Sequence, residues 1–327
     1  MAAAKIKLII DVDTGIDDAL ALLHACAAPE ADILGVTTVS GNVDLERATR
    51  NTRAVLALAG RADIPVWAGL ARPILREAED ASYVHGGSGL GGAQLPAPAP
   101  SRDDRHAVDQ ILSLAKTHKG ELVLVPTGPL TNIAAALMRE PALAKQLKRL
   151  VLMGGAFKEG GNTTPAAEFN IWHDPEAARI VFRAFGEEGA APLVAIGLDV
   201  TRKVQLSPEH LKSLAPRIAG ASRGPTLMTF LEDATRDYFE FIEKREGRRF
   251  FTMHDPLALA AALDPSLIET QNVAVDVETA GALTRGMTVA DWRGVWGRKP
   301  NAEVAIGVRA EAMIAQFLDS MERLARG

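Results

Sequence analysis

The sequence predicts an α/β fold in which a single domain, residues 1–327, holds an open, mostly parallel, Rossmann-like sheet flanked by helices. Short apolar runs typical of buried strands alternate with longer amphipathic runs typical of helices, and this alternation indicates a parallel sheet covered by helices. Hydrophobic residues make up 47% of the 327 residues, enough for a substantial core. No repeat and no linker-like segment divides the sequence, so we expect one domain.

The first half of the chain alternates between strand and helix patterns. An apolar run at Leu8–Ile10 leads through a turn at Gly15 into a helix that carries Leu20 and Leu23. The other elements predicted in this half are a strand at Asp32–Ser40, a helix at Asp44–Gly60, a short strand at Val66-Trp67, a helix at about His106–His118, a strand at Glu121–Pro126 and a helix from Pro129. A long irregular segment, Arg72–Ser101, interrupts the series, and loops of that length are usually functional or disordered.

The second half continues the alternation and then adds a few C-terminal strands. The predicted elements are a strand at Arg149–Gly155, a polar loop at Lys158–His173, a helix from Asp174, a strand at Pro192–Val200, a long helix at Ser222–Glu246, a helix from His254, strands near Val273–Val277, Met287–Asp291 and Val304–Val308, and a last helix at Glu311–Arg326.

Composition narrows the possible partners and compartment. The formal net charge of −5 provides no electrostatic footprint for nucleic acid or an anionic membrane. No apolar run reaches the length of a membrane span. Cys26 is the single cysteine, which excludes an internal disulfide and fits a reducing compartment. The N-terminal residues lack the pattern of a signal peptide, so we expect a cytoplasmic protein with a small-molecule ligand.

The most informative stretch is Lys7–Leu23, in which four aspartates, Asp11, Asp13, Asp17 and Asp18, fall within eight positions at the end of the first strand. Helix capping explains one aspartate in such a position, but not four. Like charges this close repel one another by an amount comparable with ordinary protein stability, so a cation is expected among them. The stretch is not an EF-hand loop, which requires a glutamate where this chain has Leu22.

Other polar residues follow the later strands. They occur at Gly41-Asn42, at Thr127-Gly128 and at Glu168–Asn170, and His254-Asp255 opens a helix. In a parallel sheet such positions meet at one edge, where open α/β sheets bind ligands. Asp13, Asp18 and Asp255 with a backbone carbonyl would form an all-oxygen ligand set, which suits Ca²⁺ or Mg²⁺ and argues against zinc.

These motifs resemble those of the inosine-uridine preferring nucleoside hydrolases, whose N-terminal DxDxGxDDA signature stands here as DVDTGIDDA. The resemblance extends in order over nearly the full length. Its further blocks are TTVSGN (37–42), HGGSGLGG (85–92), LVPTGPLTN (124–132), VLMGGAF (151–157), GNTTPAAEFNIWHDPEAA (161–178), MHDPLAL (253–259) and LTRGMTVAD (283–291). One departure is Thr14, where the family usually has proline, and it removes no ligand.

The resemblance implies a role for each matching residue. It implies Ca²⁺ held by Asp13, Asp18, Asp255 and the main-chain carbonyl of Thr127, with Asp13 also acting as the base for a metal-bound water. The residues that it implies around the ribose are Asp17, Asn42, Met153, Asn162, Glu168 and Asn170. It implies His254 near the nucleobase, with His85 and Tyr238 beside it.

The implied activity is hydrolysis of the N-glycosidic bond of ribonucleosides to free base and ribose, by a homodimer or homotetramer. Such a cleavage passes through an oxocarbenium-like state. Carboxylate and amide oxygens near the sugar stabilise its positive charge, and an imidazole with a pKa near neutrality can protonate the leaving base. Whether purine or pyrimidine nucleosides are preferred stays open.

Two alternative functions remain at this stage. LIIDVDTG is similar to the strand and DxD motif of haloacid-dehalogenase-like phosphatases, although Gly15 stands where that family has Thr or Val. The other alternative is a catalytically silent, Ca²⁺-dependent nucleoside-binding protein. Among the site residues, Tyr238 and Met153 have a packing alternative, and His254 could merely hydrogen-bond the backbone at a helix start.

Overall fold

The computed structural model describes residues 4–81, 86–98 and 103–327. Its strands are β1 (Ile6–Val12), β2 (Ala31–Thr38), β3 (Val66–Ala68), β4 (Leu122–Pro126), β5 (Arg149–Met153), β6 (Leu193–Ile196), β7 (Gln205–Leu206), β8 (Phe251–Thr252), β9 (Ile268–Val273), β10 (Val275–Val277), β11 (Thr288–Ala290) and β12 (Ala302–Val308). Its α-helices are α1 (Ile16–Ala27), α2 (Leu45–Leu58), α3 (Ala107–Thr117), α4 (Thr131–Arg139), α5 (Leu143–Gln146), α6 (Phe169–His173), α7 (Pro175–Ala184), α8 (Leu198–Thr201), α9 (Pro208–Ile218), α10 (Gly224–Glu246), α11 (His254–Leu263) and α12 (Ala310–Arg326).

The central feature is a sheet of eight strands in the order β3-β2-β1-β4-β5-β6-β12-β9. Seven of these strands run parallel, and only the edge strand β9 pairs antiparallel, with β12. Helices cover both faces, and the C-terminal strands β10 and β11 form a small antiparallel ribbon of their own. The predicted open, mostly parallel α/β sheet is confirmed.

The hydrophobic core lies in two layers, one on each face of the sheet. Along β1 the side chains of Leu8 and Ile10 enter one layer, with α1 and α11, while Ile9 enters the other, with α3 and α4. Alternate residues of a strand point to opposite faces, so a strand buried on both faces is apolar at every position. This explains the unbroken apolar run at the start of the chain.

The strand order places a crevice at the end of β1. From β1 the chain builds outward through β2 and β3, and then returns to add β4 on the other side of β1. Asp11 lies opposite Thr37 of β2 and Pro126 of β4, so the three strands end in register. Such a reversal of strand order opens a ligand crevice at the carboxyl edge.

Two local expectations were wrong. The strand predicted to reach Val200 ends at Ile196, because the chain enters α8 at Leu198 with Gly197 as its N-cap. A Cβ on Gly197 would lie 2.8 Å from the Gly155 carbonyl oxygen. The loop predicted through His173 contains α6, whose first turn Glu168 caps. The strand predicted near Val304–Val308 is confirmed as β12, which lies in the central sheet between β6 and β9.

Among the described residues, none of the helices combines the length and the apolar character needed to cross a membrane.

Candidate active site

A pocket of about 380 Å³ opens at the carboxyl edge of the parallel strands. Its volume lies in the range of small-molecule sites. The predicted site residues that line it are Asp17, Asn42, Thr127, Met153, Asn162, Glu168, Asn170, Tyr238, His254 and Asp255. Asp13 and Asp18 are fully buried and hydrogen-bond to Asn42 and, for Asp18, also to Thr127. His85 lies outside the described residues.

An acidic cluster lies at the pocket, and two of its members, Asp17 and Asp255, line it. Carboxylate oxygens of Asp17, Asp18 and Asp255 lie within 4.8 Å of one another, and all three residues are buried. Asp17 and Asp18 stand in the first turn of α1, where the positive end of the helix dipole favours negative charge. Asp255 arrives from the first turn of α11, more than two hundred residues later. This cluster could hold a metal ion.

Asp18 is tied to its surroundings by three hydrogen bonds. Its Oδ2 accepts from the Gly15 amide at 2.9 Å and from Asn42 Nδ2 at 3.2 Å, and its Oδ1 accepts from Thr127 Oγ1 at 2.8 Å. Thr127 follows β4 and Asn42 follows β2, so the ends of both neighbouring strands contact the carboxylate that follows β1. These bonds hold Asp18 in one orientation.

Asp13 lies in a tight cradle of backbone. Its Oδ2 accepts from the Asn42 amide at 2.6 Å, and a Cβ on Gly128 would come within 2.8 Å of its Oδ1. A Cβ on Gly41 would overlap Oδ2 outright. Among the described residues no other residue offers a hydrogen bond to Oδ1, which is buried. A buried carboxylate oxygen without such a donor is suited to accept a proton or to bind a cation.

The electrostatics of the cluster favour a cation. Burial raises the pKa of the Asp13 and Asp255 carboxyls well above the usual range, and the neighbouring carboxylates raise it further. Burial, with the charge of Asp18, raises the pKa of Asp17 to about 7. Burial also raises the pKa of Asp18, although its hydrogen bonds oppose the shift. A divalent cation would stabilise the charged forms, and the all-oxygen donor set fits Ca²⁺ or Mg²⁺ better than zinc.

Asp11 stands apart from the pocket and holds strands together. Its Oδ1 accepts from Thr37 Oγ1 at 2.5 Å and from Asn132 Nδ2 at 2.8 Å, and its carbonyl accepts from the Thr127 amide at 2.8 Å. Burial raises the pKa of this carboxyl to about 7. Asp11 therefore orders the strand ends around the site.

The wall opposite the acidic cluster consists of the loop after β5. Glu168 caps α6, since its Oε1 accepts from the Asn170 amide at 2.9 Å and its Oε2 from the Ile171 amide at 3.2 Å. Asn170 Nδ2 donates to the Thr127 carbonyl at 2.6 Å, and Asn162 Oδ1 accepts from the Phe169 amide at 2.9 Å. The three predicted ribose residues of this loop are therefore held by hydrogen bonds to the loop backbone, and Asn170 also links the loop to Thr127 at the end of β4.

The outer part of the pocket is formed by His254 and aromatic side chains. His254 is half-buried, and its Nδ1 lies 2.8 Å from Thr201 Oγ1. The ring of Tyr238 packs on Phe251 with centroids 4.6 Å apart. Burial raises the pKa of the Tyr238 hydroxyl, and a hydrogen bond with Thr252 opposes this shift in part. Tyr238 therefore packs against Phe251 and also lines the pocket. Both of the positions that the sequence left open for it, in the packed core and beside the ligand, are compatible with this placement.

Several lining residues were missed from the sequence. They include Arg202, Gln205, Phe250 and Thr252. Gln205 and Thr252 pair across the two-residue strands β7 and β8, which are too short to leave a periodic signal.

The fold and the pocket define an α/β protein with a carboxylate-rich small-molecule site at the carboxyl edge of its sheet. A family model described as inosine-uridine preferring nucleoside hydrolase matches residues 8–315. The chain therefore belongs to this family, and it is a nucleoside hydrolase. This membership confirms the resemblance noted above and replaces the phosphatase alternative.

Individual relatives are similar over nearly the whole chain. The inosine-uridine preferring nucleoside hydrolase of Leishmania major is 38% identical over 320 residues, which cover 97% of this chain and 98% of that protein. A pyrimidine-specific ribonucleoside hydrolase of Escherichia coli is 38% identical over 317 residues, with coverage of 97% and 98%. The structure of a purine-preferring ribonucleoside hydrolase from Gardnerella vaginalis aligns with a TM-score of 0.89 at 35% identity, with coverage of 98% and 99%.

Proposed function

We propose that the chain hydrolyses the N-glycosidic bond of ribonucleosides, with Asp13 as the base for the attacking water, His254 as the acid for the leaving base and Ca²⁺ as the cofactor. The observation that carries the proposal is the meeting of three kinds of group in one pocket. These are a buried carboxylate cluster, a layer of amide and carboxylate side chains, and a half-buried imidazole. A pyrimidine-specific relative is 38% identical and a purine-preferring one 35% identical, so the proposal names ribonucleosides as a class.

The proposed Ca²⁺ ligands are Asp13, Asp18, Asp255 and the carbonyl of Thr127. Asp18 and Asp255 belong to the group of three carboxylates in mutual reach, and the buried Oδ1 of Asp13 supports its inclusion. The inclusion of Thr127 is supported by its position in the lining of the same pocket, where Asn170 donates to its carbonyl. When bound, Ca²⁺ would orient the ribose diol and favour loss of a proton from a water molecule.

The protein's own groups account for the remaining chemistry. Asp13 takes a proton from the attacking water, and a base so placed contributes about 10²–10⁴ in rate. Asp17, Asn42, Asn162, Glu168 and Asn170 hold the ribose, with Met153 beside them, and their oxygens stabilise the oxocarbenium-like state. His254 donates a proton to the departing base, while Tyr238 lines that end of the pocket. His85 remains proposed for the same end on the resemblance alone.

The decisive experiment measures free ribose from inosine, adenosine, guanosine, uridine and cytidine, with and without a chelator. We expect ribose release that the chelator abolishes and that added Ca²⁺ restores. Tight nucleoside binding without turnover would instead establish the silent binding protein. Phosphate release from simple phosphomonoesters, with no ribose release, would revive the phosphatase alternative.

We also propose a cytoplasmic homodimer or homotetramer built from single-domain protomers. Support comes from the exposed apolar side chains of Leu283, Val295 and Trp296, which are 88%, 68% and 37% exposed. Val295 and Trp296 are adjacent in sequence, and contiguous exposed apolar surface often marks protein contacts. Light scattering on the purified protein measures the oligomeric state, and a monomer at all concentrations would contradict this proposal.

A further inference from the structure

The short helix α8 contacts two parts of the site, the loop that leads to Asn162 and the side chain of His254. It follows β6 directly, and it carries two buried polar residues, Asp199 and Thr201, that lie behind the described residues lining the pocket. Buried polar groups are costly unless they make hydrogen bonds, so their partners show what they hold in place.

Asp199 holds the beginning of the ribose-binding loop. Its Oδ2 accepts from the Phe157 amide at 2.9 Å, and its Oδ1 accepts from the Lys158 amide at 2.7 Å and from the Glu159 amide at 3.3 Å. A carboxylate that binds three successive amides fixes that backbone strongly, because charge-assisted hydrogen bonds are about twice as strong as neutral ones. This backbone leads directly to Asn162.

Arg202, just after α8, holds the same loop at a second point. Its Nη2 donates to the Gly161 carbonyl at 2.9 Å, immediately before Asn162. Asn162 in turn binds the Phe169 amide, next to the capping residue Glu168. If the segment that ends at Gly161 were displaced, the two proposed ribose-binding residues Asn162 and Glu168 would therefore move together.

Thr201 holds the other wall. Its side chain is fully buried, and its Oγ1 lies 2.8 Å from Nδ1 of His254. A threonine hydroxyl can accept from Nδ1–H both in the imidazolium and in the neutral ring that carries its proton on Nδ1. Nε2 is then the nitrogen that exchanges a proton with the leaving base.

We propose that Asp199 and Thr201 are positioning residues, Asp199 for the loop that carries Asn162 and Glu168, and Thr201 for the orientation and tautomer of the His254 ring. In the reaction the glycosidic C–N bond breaks with its electron pair passing to the base, which takes the Nε2 proton. Water supplies hydroxide to the ribose carbon, and its proton goes to Asp13. The kinetic part of this inference rests on the proposed function.

The test of Thr201 compares Thr201→Val, which keeps the shape but loses the hydroxyl, with Thr201→Ser, which keeps the hydroxyl. Thr117→Val, an exposed substitution on α3, is the matched control. We expect Thr201→Val to lower kcat for natural nucleosides by about tenfold and to leave kcat for a 4-nitrophenyl riboside nearly unchanged, because an activated phenol needs no acid. Thr201→Ser should restore the wild-type ratio of the two substrates.

A second measurement keeps this test independent of turnover. Nitrogen-15 NMR of histidine-labelled protein at mildly alkaline pH reports which ring nitrogen carries the proton, and a His254→Asn variant assigns the signal. We expect the Nδ1–H form in the wild type and in Thr201→Ser, and loss of that preference in Thr201→Val. If the wild type hydrolyses no riboside, the proposed function fails while this measurement still tests the positioning role.

Asp199 should produce a different kinetic signature. We expect Asp199→Ala to raise KM about tenfold for every riboside alike, because the loop affects the sugar common to all of them. Hydrogen exchange should show lost protection at 157–159, whereas Asp109→Asn on α3 should leave both measurements unchanged. If Asp199→Ala keeps the wild-type KM and the wild-type hydrogen exchange, the role assigned to Asp199 is overturned. If Thr201→Val keeps the wild-type kcat ratio of the two substrates and the wild-type tautomer of His254, the role assigned to Thr201 is overturned.

Discussion

Thr127 and Asp18, separated by more than a hundred residues, are joined by a hydrogen bond of 2.8 Å from Oγ1 to Oδ1. The hydroxyl belongs to the turn after β4, and the carboxylate belongs to the first turn of α1. The same threonine lines the pocket, and its carbonyl, a proposed metal ligand, accepts a hydrogen bond from Asn170 Nδ2 at 2.6 Å. One residue therefore orients a proposed metal ligand with its side chain and offers a second ligand with its backbone.

Thr127→Val should weaken Ca²⁺ binding, because it removes the donor to Asp18 while keeping the carbonyl. Loss of a hydrogen bond to a metal ligand typically costs about 10–100-fold in affinity. Isothermal titration calorimetry with Ca²⁺ measures the effect, and Thr127→Ser, which keeps the hydroxyl, is the control. Equal affinity in the two variants would show that the hydroxyl does not orient the ligand.

Asp13→Ala should remove nearly all turnover, because it loses both the proposed base and a metal ligand. Asp13→Asn separates the two roles: the amide oxygen can still bind a cation, but the amide cannot take a proton. We expect Asp13→Asn to lose about 10²–10⁴ in kcat while retaining measurable Ca²⁺ binding. Near-normal kcat in either variant would contradict the role of Asp13, and steady-state kinetics at saturating Ca²⁺ decide it.

Calcium should stabilise the fold in a pH-dependent way. A ligand at 100 times its Kd stabilises the native state by about 2.7 kcal/mol. In the metal-free protein burial raises the pKa of Asp17 to about 7 and raises that of its acidic neighbours, so protons compete with the cation in acid. We therefore expect the Ca²⁺-induced rise in Tm to grow as the pH increases through neutrality.

Scanning calorimetry with and without chelator, at several pH values, measures this rise. Mg²⁺ and Zn²⁺ at the same concentration serve as comparisons. A larger shift with zinc than with calcium would contradict the all-oxygen site, and an absent shift with every ion would contradict a metal site altogether.

His254→Ala should impair nucleosides with poor leaving bases most. The imidazole is proposed to donate a proton only when the base departs, so an activated phenol should leave equally well without it. Kinetics on inosine and on a 4-nitrophenyl riboside give the two losses. A loss of the same size on both substrates would argue against an acid role and for a contribution to ribose binding.

The sequence predicted those features of the site that depend on strand ends. An apolar run followed by four aspartates marks the carboxyl end of β1, and polar residues such as Asn42 and Thr127 mark β2 and β4, so a parallel sheet brings them together. The Ca²⁺ and base assignments came from the family resemblance and remain predictions.

The remainder depends on strand order and on very short elements. Nothing local in Val304–Val308 shows that β12 inserts between β6 and β9, because strand order is a property of the whole sheet. The outer wall depends on β7 and β8, which contain two residues each. The contact between Thr201 and His254 joins residues 53 positions apart and leaves no pattern in either segment.

Acid should destabilise the protein through His24, which lies on α1 with its ring centroid 6.3 Å from that of Phe317. Burial, with the nearby Arg323 charge, lowers the pKa of His24 from 6.5 to about 4. The unfolded chain binds a proton at His24 below pH 6.5, whereas the folded chain does not bind it until about pH 4. The free energy of unfolding therefore keeps its full value above pH 6.5 and decreases as the pH drops through this window. One pKa unit corresponds to 1.36 kcal/mol, so the total loss is about 3 kcal/mol.

His24→Leu removes the titrating group and keeps an apolar side chain of similar length beside Phe317. We expect this variant to lose much less free energy of unfolding than the wild type between neutral pH and pH 4, as measured by urea denaturation at a series of pH values. His118→Leu, at the C-terminal end of α3, is the control and should keep the wild-type slope. If the free energy of unfolding depends on pH equally in His24→Leu and in the wild type, other groups cause the acid sensitivity. The buried His173 is one such group, because burial also lowers its pKa to about 4.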